Sequence, residues 1–593
     1  MDDSPRSAYE FGSFRVDARR HLLLREGEVI QLAPKVFETL LMLVRSNGRV
    51  LKKSELMEAI WPDTFVEESN LAQHIFLLRK ILGEEKNEHR YIVTVPGVGY
   101  RFVAAVKVSE THDAARTYTA EQGTEVDVWP PASLAVLPFK TVSVAEGDEV
   151  LGLGIADALI MKLSGLRLIR VRPTTAVLKY AGASQDTLLA GRELGVDALL
   201  DGYYQRHGEQ IRVSVQITRV RDGMTLWAAK FDESFTNFFA IQDSVSEQVV
   251  RKLELELSGS EQQQLRKNQT VNPEAFRAYI KGRYFWNRRT PEGLRKGLEY
   301  GREAVALDPA YASAYIALAD TYNLLGAQHS VMPPGEAFPK ARAAAERALE
   351  IDPQLAEAYA SLAFVAYCFD WDWTAAESHF HTAIELKPNY ATAHHWFGEF
   401  LSAARRFEES IASLRHALAL DPLSLAMSTD LGATYYYARE YVRSEEELRK
   451  TLEVDSSFVR AHLILGAVQE QQGRGALAVD SLRRAAELSS GDPVILASLA
   501  HACAVNKQLS DARAILLELR EESTRRYIPP YSMALIHTGL GEREQAYEWL
   551  TKAVELRDIN VLWLASNPRF DLLRDETDFK ELLRRGGVPQ AAA

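Results

Sequence analysis

The 593-residue sequence predicts a multidomain chain in three parts: a small α+β unit, an α/β unit and an all-α repeat array. Three observations carry this reading. Between Val66 and Val103 a helix-period apolar pattern runs directly into two short β-rich runs. From Ala132 to about residue 258 apolar strands alternate with helical stretches. From Asn272 to about Val588 the chain repeats itself.

In the first part, Leu71, Ile75, Leu78 and Leu82 give a helix over Ser69–Leu82 one apolar face, and Asn70, Gln73, Leu77 and Lys80 form the opposite row. Tyr91–Val95 and Tyr100–Val103 then flank Pro96-Gly97-Val98-Gly99, a β-hairpin whose glycines supply the turn. A helix with one polar face followed by a small hairpin is the layout of a winged helix. Upstream, short strands are expected at Tyr9–Val16, His21–Arg25 and Val29–Leu32. A helix follows from Pro34, where a first turn tolerates proline, and a second over Lys53–Ile60 is stopped by Trp61-Pro62. In this order Leu32–Phe37, Gly48–Leu51, Glu55…Trp61, Leu78–Leu82 and Val95–Phe102 resemble the OmpR/PhoB-type winged-helix domain of bacterial transcription regulators over about 100 residues. The resemblance implies double-stranded DNA as partner, with His74, Arg79, Thr94 and Tyr100 at phosphate-holding positions. Base reading would fall to Asn70 and Gln73, whose amides can pair with adenine, and to Leu77 against thymine methyls. Ser69 and Lys80 complete the expected DNA-binding set, and Ser69 reads equally as the helix N-cap. The family often carries Arg where this chain has Phe76, Leu77 and Pro96, which predicts weaker and less salt-dependent binding.

The chain carries a net charge of −12, which excludes a globally basic nucleic-acid binder. Residues 11–107 are the exception, with 15 Lys/Arg against 12 Asp/Glu. The two cysteines, Cys368 and Cys503, make no disulfide framework. No apolar run is long enough to span a membrane and the first residues show no signal-peptide core, so a cytoplasmic location and no membrane partner are expected. About seven residues precede the first strand, so no phosphoacceptor domain is expected to act in cis. Residues 108–131 are polar, end in Pro130-Pro131 and read as a linker.

The second part, 132–258, opens with the apolar strand Leu134–Phe139, a helix over Ile155–Leu163 and a strand at Arg167–Val171. A helix over Gln185–Leu194, three alternating runs (Ala198–Gln205, Gln210–Arg219, Thr225–Phe231) and a long helix over Phe239–Leu257 complete it. Its AVLPF strand, the Gly191–Gln205 run and Leu226-Trp227-Ala228 resemble the TolB-like domain. Gly152-Leu153-Gly154 lacks the third glycine and the Lys-Ser/Thr of phosphate loops, and Asp157, Asp197, Asp201 and Asp222 show no paired spacing. Neither hydrolase, zinc-protease nor kinase signatures occur. No enzyme activity and no cofactor are expected.

In the third part, 272–588, Asp308-Pro309, Asp352-Pro353, Lys387-Pro388, Asp421-Pro422 and Asp455-Ser456 close successive units at spacings of 44, 35, 34 and 34 residues. The 44 reflects an insertion around Gln328–Gly335. Two helices per 34 residues, with Ala317, Gly398, Gly432 and Gly466 at small positions, resemble tetratricopeptide repeats, closed by a cap over Trp563–Leu583. The resemblance implies a concave face for a protein or peptide partner, with Tyr279, Arg283, Tyr315, Tyr322, His394, His395, Tyr435 and Arg460 as groove residues. His379, His381, His394 and His395 read as solvated or packed rather than as metal ligands. The expected function is a DNA-binding transcriptional regulator controlled by partner or signal binding to the repeats, with a homodimer on DNA as one arrangement. The alternative is a protein-interaction scaffold whose winged helix no longer reads DNA.

Overall fold

A computed structural model of the chain describes residues 7–17, 22–25, 28–30, 34–46, 48–60, 71, 74–75, 78–79, 81–82, 84, 90–95, 98–104, 106–110, 133–141, 149–181, 186–207, 210–234, 238–253, 257–259, 262, 270, 272–287, 289–327 and 332–587. The chain divides into two compact units, Met1–Thr124 and Glu125–Ala593.

In the first unit five antiparallel strands lie in the order Glu28–Ile30, Leu22–Arg25, Phe14–Asp17, Ser7–Phe11, Lys107–Glu110. The single strand expected over Tyr9–Val16 is therefore a hairpin. Gly12, at φ 56°, makes the turn, and period-2 alternation continues on both sides of it, which hides the reversal. Lys107–Glu110, whose last three residues fall in the expected linker, is the closing strand of this sheet. The helix Pro34–Arg45 buries Val36, Phe37, Leu40, Leu41 and Val44. A second, three-stranded sheet pairs Val50–Lys52 with Gly99–Phe102, and Gly99–Phe102 with Ile92–Val95. Phe11, Phe14, Tyr91 and Phe102 join the two sheets, with Phe11 and Phe102 edge to face at 4.8 Å. Gly99 is needed for a close approach: a Cβ there would lie 1.9 Å from the Leu51 carbonyl oxygen.

The second unit begins with a mixed sheet in the order Arg170–Val171, Ser133–Val136, Ala198–His207, Gln210–Arg219, Thr225–Ser234. The first three strands are parallel and the long ones antiparallel, with Lys140–Thr141 also beside Ala198–His207. Eight helix pairs follow among the described residues, from Pro273–Asn287 with Pro291–Leu307 to Pro530–Gly539 with Arg543–Glu555. The last elements are the short turns Ile559–Trp563 and Pro568–Leu573 and the helix Thr577–Arg585.

The helix crossings repeat in atomic detail. A Cβ on Gly398, Gly432 or Gly466 would sit 2.6, 2.8 or 2.6 Å from the Cγ of Leu414, Leu448 or Leu482, so each glycine lets the second helix of its pair close on the first. The turn within each pair also recurs: a left-handed residue falls at 371, 405, 439, 473, 507 and 541. Only two of these are glycine.

The α/β part and the repeats share one core. Ala275, Phe276, Tyr279, Ile280 and Tyr311 of the first repeats pack in the same cluster as Leu134, Leu159 and Val249. Arg172 donates to the carbonyls of Ala419 and Leu420 at 2.5 and 2.9 Å, and Thr175 Oγ1 to Asp421 Oδ2 at 2.5 Å. The array also closes on itself at its far end. Trp373 Nε1 donates to the Gly587 carbonyl at 2.8 Å, Arg439 pairs bidentately with Asp571, and Tyr437 stacks on Trp563.

Candidate functional site

In the first unit the helical residues described in the 71–82 stretch are Leu71, His74, Ile75, Leu78, Arg79, Ile81 and Leu82. Leu71, Ile75, Leu78 and Leu82 are buried in the unit's core. His74 Nδ1 lies 3.1 Å from the buried Thr39 hydroxyl, and burial pushes its pKa down, so the neutral ring is favoured. Arg79 Nη2 donates to the Ile92 carbonyl and to Thr94 Oγ1, both at 2.9 Å, and its Nε lies 3.5 Å from Glu84. Glu84 in turn accepts the Ile92 amide at 3.0 Å. Arg79 and Thr94 therefore use hydrogen-bonding capacity on each other, tying the helix to the wing.

Tyr100, expected at a phosphate-holding position, is largely covered. It is 6% exposed and packs in the core, because the strand alternation that turns Phe102 inward turns Tyr100 inward as well. The same alternation leaves Arg101 exposed on the outer face, a residue not singled out in the sequence. Ser69, Asn70, Gln73, Leu77 and Lys80 lie outside the described residues, as do Phe76 and Pro96.

In the second unit a cavity of about 1650 Å³ is lined by the α/β part, the first helices of the repeats and the closing turns. At one end, Arg283 lies 3.8 Å from Asp320, which also accepts from Ser361. Burial raises the Asp320 carboxyl to about 6. Arg283 and Arg289 sit over the Trp286 ring at 4.5 and 3.7 Å. Toward the middle, His395 Nε2 lies 2.7 Å from Asp430 Oδ2, and Arg460 pairs with Asp430 and, at 3.8 Å, with Glu399. Burial and the neighbouring Asp430 push Glu399 up. Asp430 is held down, against its burial, by Arg460 and His395. His395, Glu399 and Asp430 each place one ligand atom within 4.8 Å of the others. The Arg460 guanidinium already serves as cation to both carboxylates.

Comparison with known proteins now bears on both units. Residues 27–102 match the family model described as transcriptional regulatory protein, C terminal. The amino-terminal unit is an OmpR/PhoB-type winged helix. Residues 131–248 match the second domain of HilA/YgeH-like transcriptional regulators, and residues 531–560 match a tetratricopeptide repeat. The transcriptional regulator HilA of Salmonella typhi is 27% identical over 439 residues, 72% of this chain and 74% of that protein. A putative adenylate cyclase 3 of Rhizobium meliloti is 29% identical over 32% of this chain and 33% of its own length. The sensory transduction protein RegX3 of Mycolicibacterium smegmatis is 36% identical over 93 residues, 16% of this chain and 41% of that protein. The α/β part behind the winged helix is thus matched by the HilA/YgeH second domain.

The groove residues expected from the repeats separate into two groups. Tyr279, Arg283, His395 and Arg460 line the cavity. Tyr279 is buried there in the core shared with the α/β part. The other four do not line it. Tyr322 and Tyr435 are buried between helices, their hydroxyls accepting from Arg302 and from Arg415 and Arg443. His394 is held by the Pro388 carbonyl at 2.8 Å and by the His416 ring, and Tyr315 is half-buried. The sequence reasoning missed Trp286, Arg289, Glu399 and Asp430. The i, i+3 spacing of Arg283 and Trp286 and the i, i+4 spacing of His395 and Glu399 were the available signals.

Proposed function

We propose that the chain is a DNA-binding transcriptional regulator whose winged helix is controlled by binding to the carboxy-terminal unit. The observation that carries this is the winged helix itself, in which a tightly anchored helix and a wing bearing the exposed Arg101 follow each other as DNA binding requires. The similarity to HilA along most of both chains supports the regulator role. Base contacts are assigned to Asn70, Gln73 and Leu77, and backbone contacts to Ser69, His74, Lys80 and Arg101. Arg79 and Thr94 act as positioning residues. The cavity gives the carboxy-terminal unit a place to receive a signal, and the exposed outer helices a surface for a protein partner. The reading is non-enzymatic and cytoplasmic, and among the described residues no helix is long and apolar enough to cross a membrane. Homodimers on paired half-sites remain part of the proposal.

The test is the salt dependence of duplex binding by the whole chain. Affinity falls linearly on a log–log plot, and Arg101→Gln reduces the slope by about 1. Binding that ignores salt, or no binding to any duplex, overturns the proposal.

A further inference from the structure

The cavity's arginine end is built as a receptor with its donors unused. Arg283, Trp286 and Asn287 stand at i, i+3 and i+4 on the last turn of the helix Pro273–Asn287, and so share one face. Trp286 is 3% exposed, and its indole Nε1–H, which can only donate, has no acceptor. The Arg283 Nε–H and the Asn287 amide, both its nitrogen and its oxygen, are likewise buried without hydrogen-bond partners. Two residues on, Arg289 adopts φ 52°, in the left-handed region, as its guanidinium lies on the Trp286 ring at 3.7 Å. All four residues line the cavity.

The two arginines differ in how their charge is met. Arg283 has Asp320 at 3.8 Å. Arg289 makes no ion pair within 4 Å among the described residues, and burial together with the adjacent Arg283 brings its guanidinium down to about 10 against the more distant pull of Asp320 and Glu399. Buried donors without acceptors are rare in folded proteins, and each calls for a specific explanation. A cationic ligand does not supply one, since Asp320, Glu399 and Asp430 already face Arg283 or Arg460. An acceptor-rich anion does. The neighbouring walls, formed by Phe364, Tyr390 and Trp396, are aromatic, and the volume of about 1650 Å³ exceeds that of an ordinary small-ligand pocket.

We propose that this cavity binds a small organic anion, a carboxylate or a phosphate, held by Arg289 with Trp286, Arg283 and Asn287, its remaining body against the aromatic walls. The proposal rests on the regulator reading only for its consequence, since an anion here would be the signal that reaches the winged helix. Binding itself is read without DNA.

Isothermal titration calorimetry and thermal shift on the full chain, at constant ionic strength, would use inorganic phosphate, benzoate and the neutral benzamide as probes. The expected result is saturable binding of at least one anion and none of benzamide. Arg289→Gln weakens it tenfold or more, Arg289→Lys weakens it less, and Trp286→Phe, which removes one donor and keeps the ring, weakens it severalfold. Phosphate alone saturating identifies a phosphate site, and benzoate alone a carboxylate site. Circular dichroism checks that each variant is folded, and Trp286→Phe carries the test if Arg289→Gln is not. No saturable binding by either anion, or equal binding by wild type and folded variants, overturns the proposal. Anion binding that leaves duplex affinity unchanged keeps the site and removes its role as signal, whereas loss of DNA binding alone bears only on the winged helix.

Discussion

Replacing Arg569 by methionine tests whether the closing turns hold the repeat array shut. Arg569 stands on the turn Pro568–Leu573 and reaches Glu470, on the helix Val459–Gln471, through its Nε and Nη2, both at 3.3 Å. Both side chains are 5% exposed, and His501 Nδ1 approaches the same carboxylate at 3.2 Å. Burial alone would raise the Glu470 carboxyl, yet Arg569 and His501 hold it at about 2, against an ordinary 4.5. That difference corresponds to about 3 kcal/mol of interaction with the ionised form. Removing the guanidinium strands a buried charge, and the expected loss is about 3–5 kcal/mol. The depressed pKa also sets a sign. The contribution is complete above pH 4.5 and disappears as pH falls through about 2, so acid sensitivity in that window is reduced in Arg569→Met. Urea unfolding followed by far-UV circular dichroism measures both effects. Glu470→Gln combined with Arg569→Met recovers most of the loss, since no charge is then left unpaired. A single-variant loss below about 1 kcal/mol, or a double variant no better than the single one, would refute the reasoning.

Three further outcomes are expected. Gly432→Ala drives a methyl into Leu448 Cγ at 2.8 Å and lowers stability by about 1–3 kcal/mol, read as a fall in the thermal midpoint. Lys507→Gly relieves a left-handed non-glycine residue at an exposed turn and raises the midpoint by the equivalent of about 1 kcal/mol. Arg79→Ala unties the helix from the wing and leaves Glu84, whose side chain is fully buried, without its cation. It destabilises the amino-terminal unit by about 2–3 kcal/mol, seen in hydrogen exchange of Ile92 and Thr94, with the salt slope of DNA binding unchanged.

The elements whose pattern is local were legible in the sequence. The 34-residue period, the apolar face of Leu71, Ile75, Leu78 and Leu82, and the strands of the α/β part all follow from periodicity and punctuation. The hairpin at Gly12-Ser13 was not, because alternation runs unbroken through a two-residue turn. The periodic left-handed turn was hidden because Trp371, Arg405, Arg439 and Lys507 occupy it where glycine would have marked it. At the sites, residue type was a weaker guide than direction. Tyr100 and Arg101 are neighbours, and only the sheet decides that one is core and the other surface. Tyr279, Tyr322 and Tyr435 sit on first helices as expected, but packing between helices buries them. The cavity was out of reach altogether, since its lining comes from segments far apart in the chain, such as those of Asp157, Arg283, Arg460 and Arg569.

The most direct test of the regulator reading is genome-wide DNA selection by the full chain beside its Gln73→Ala variant. An enriched sequence motif that disappears with Gln73→Ala, while salt-sensitive nonspecific binding persists, is the predicted result. A folded chain that enriches no motif, or one whose motif survives the substitution unchanged, would contradict the account.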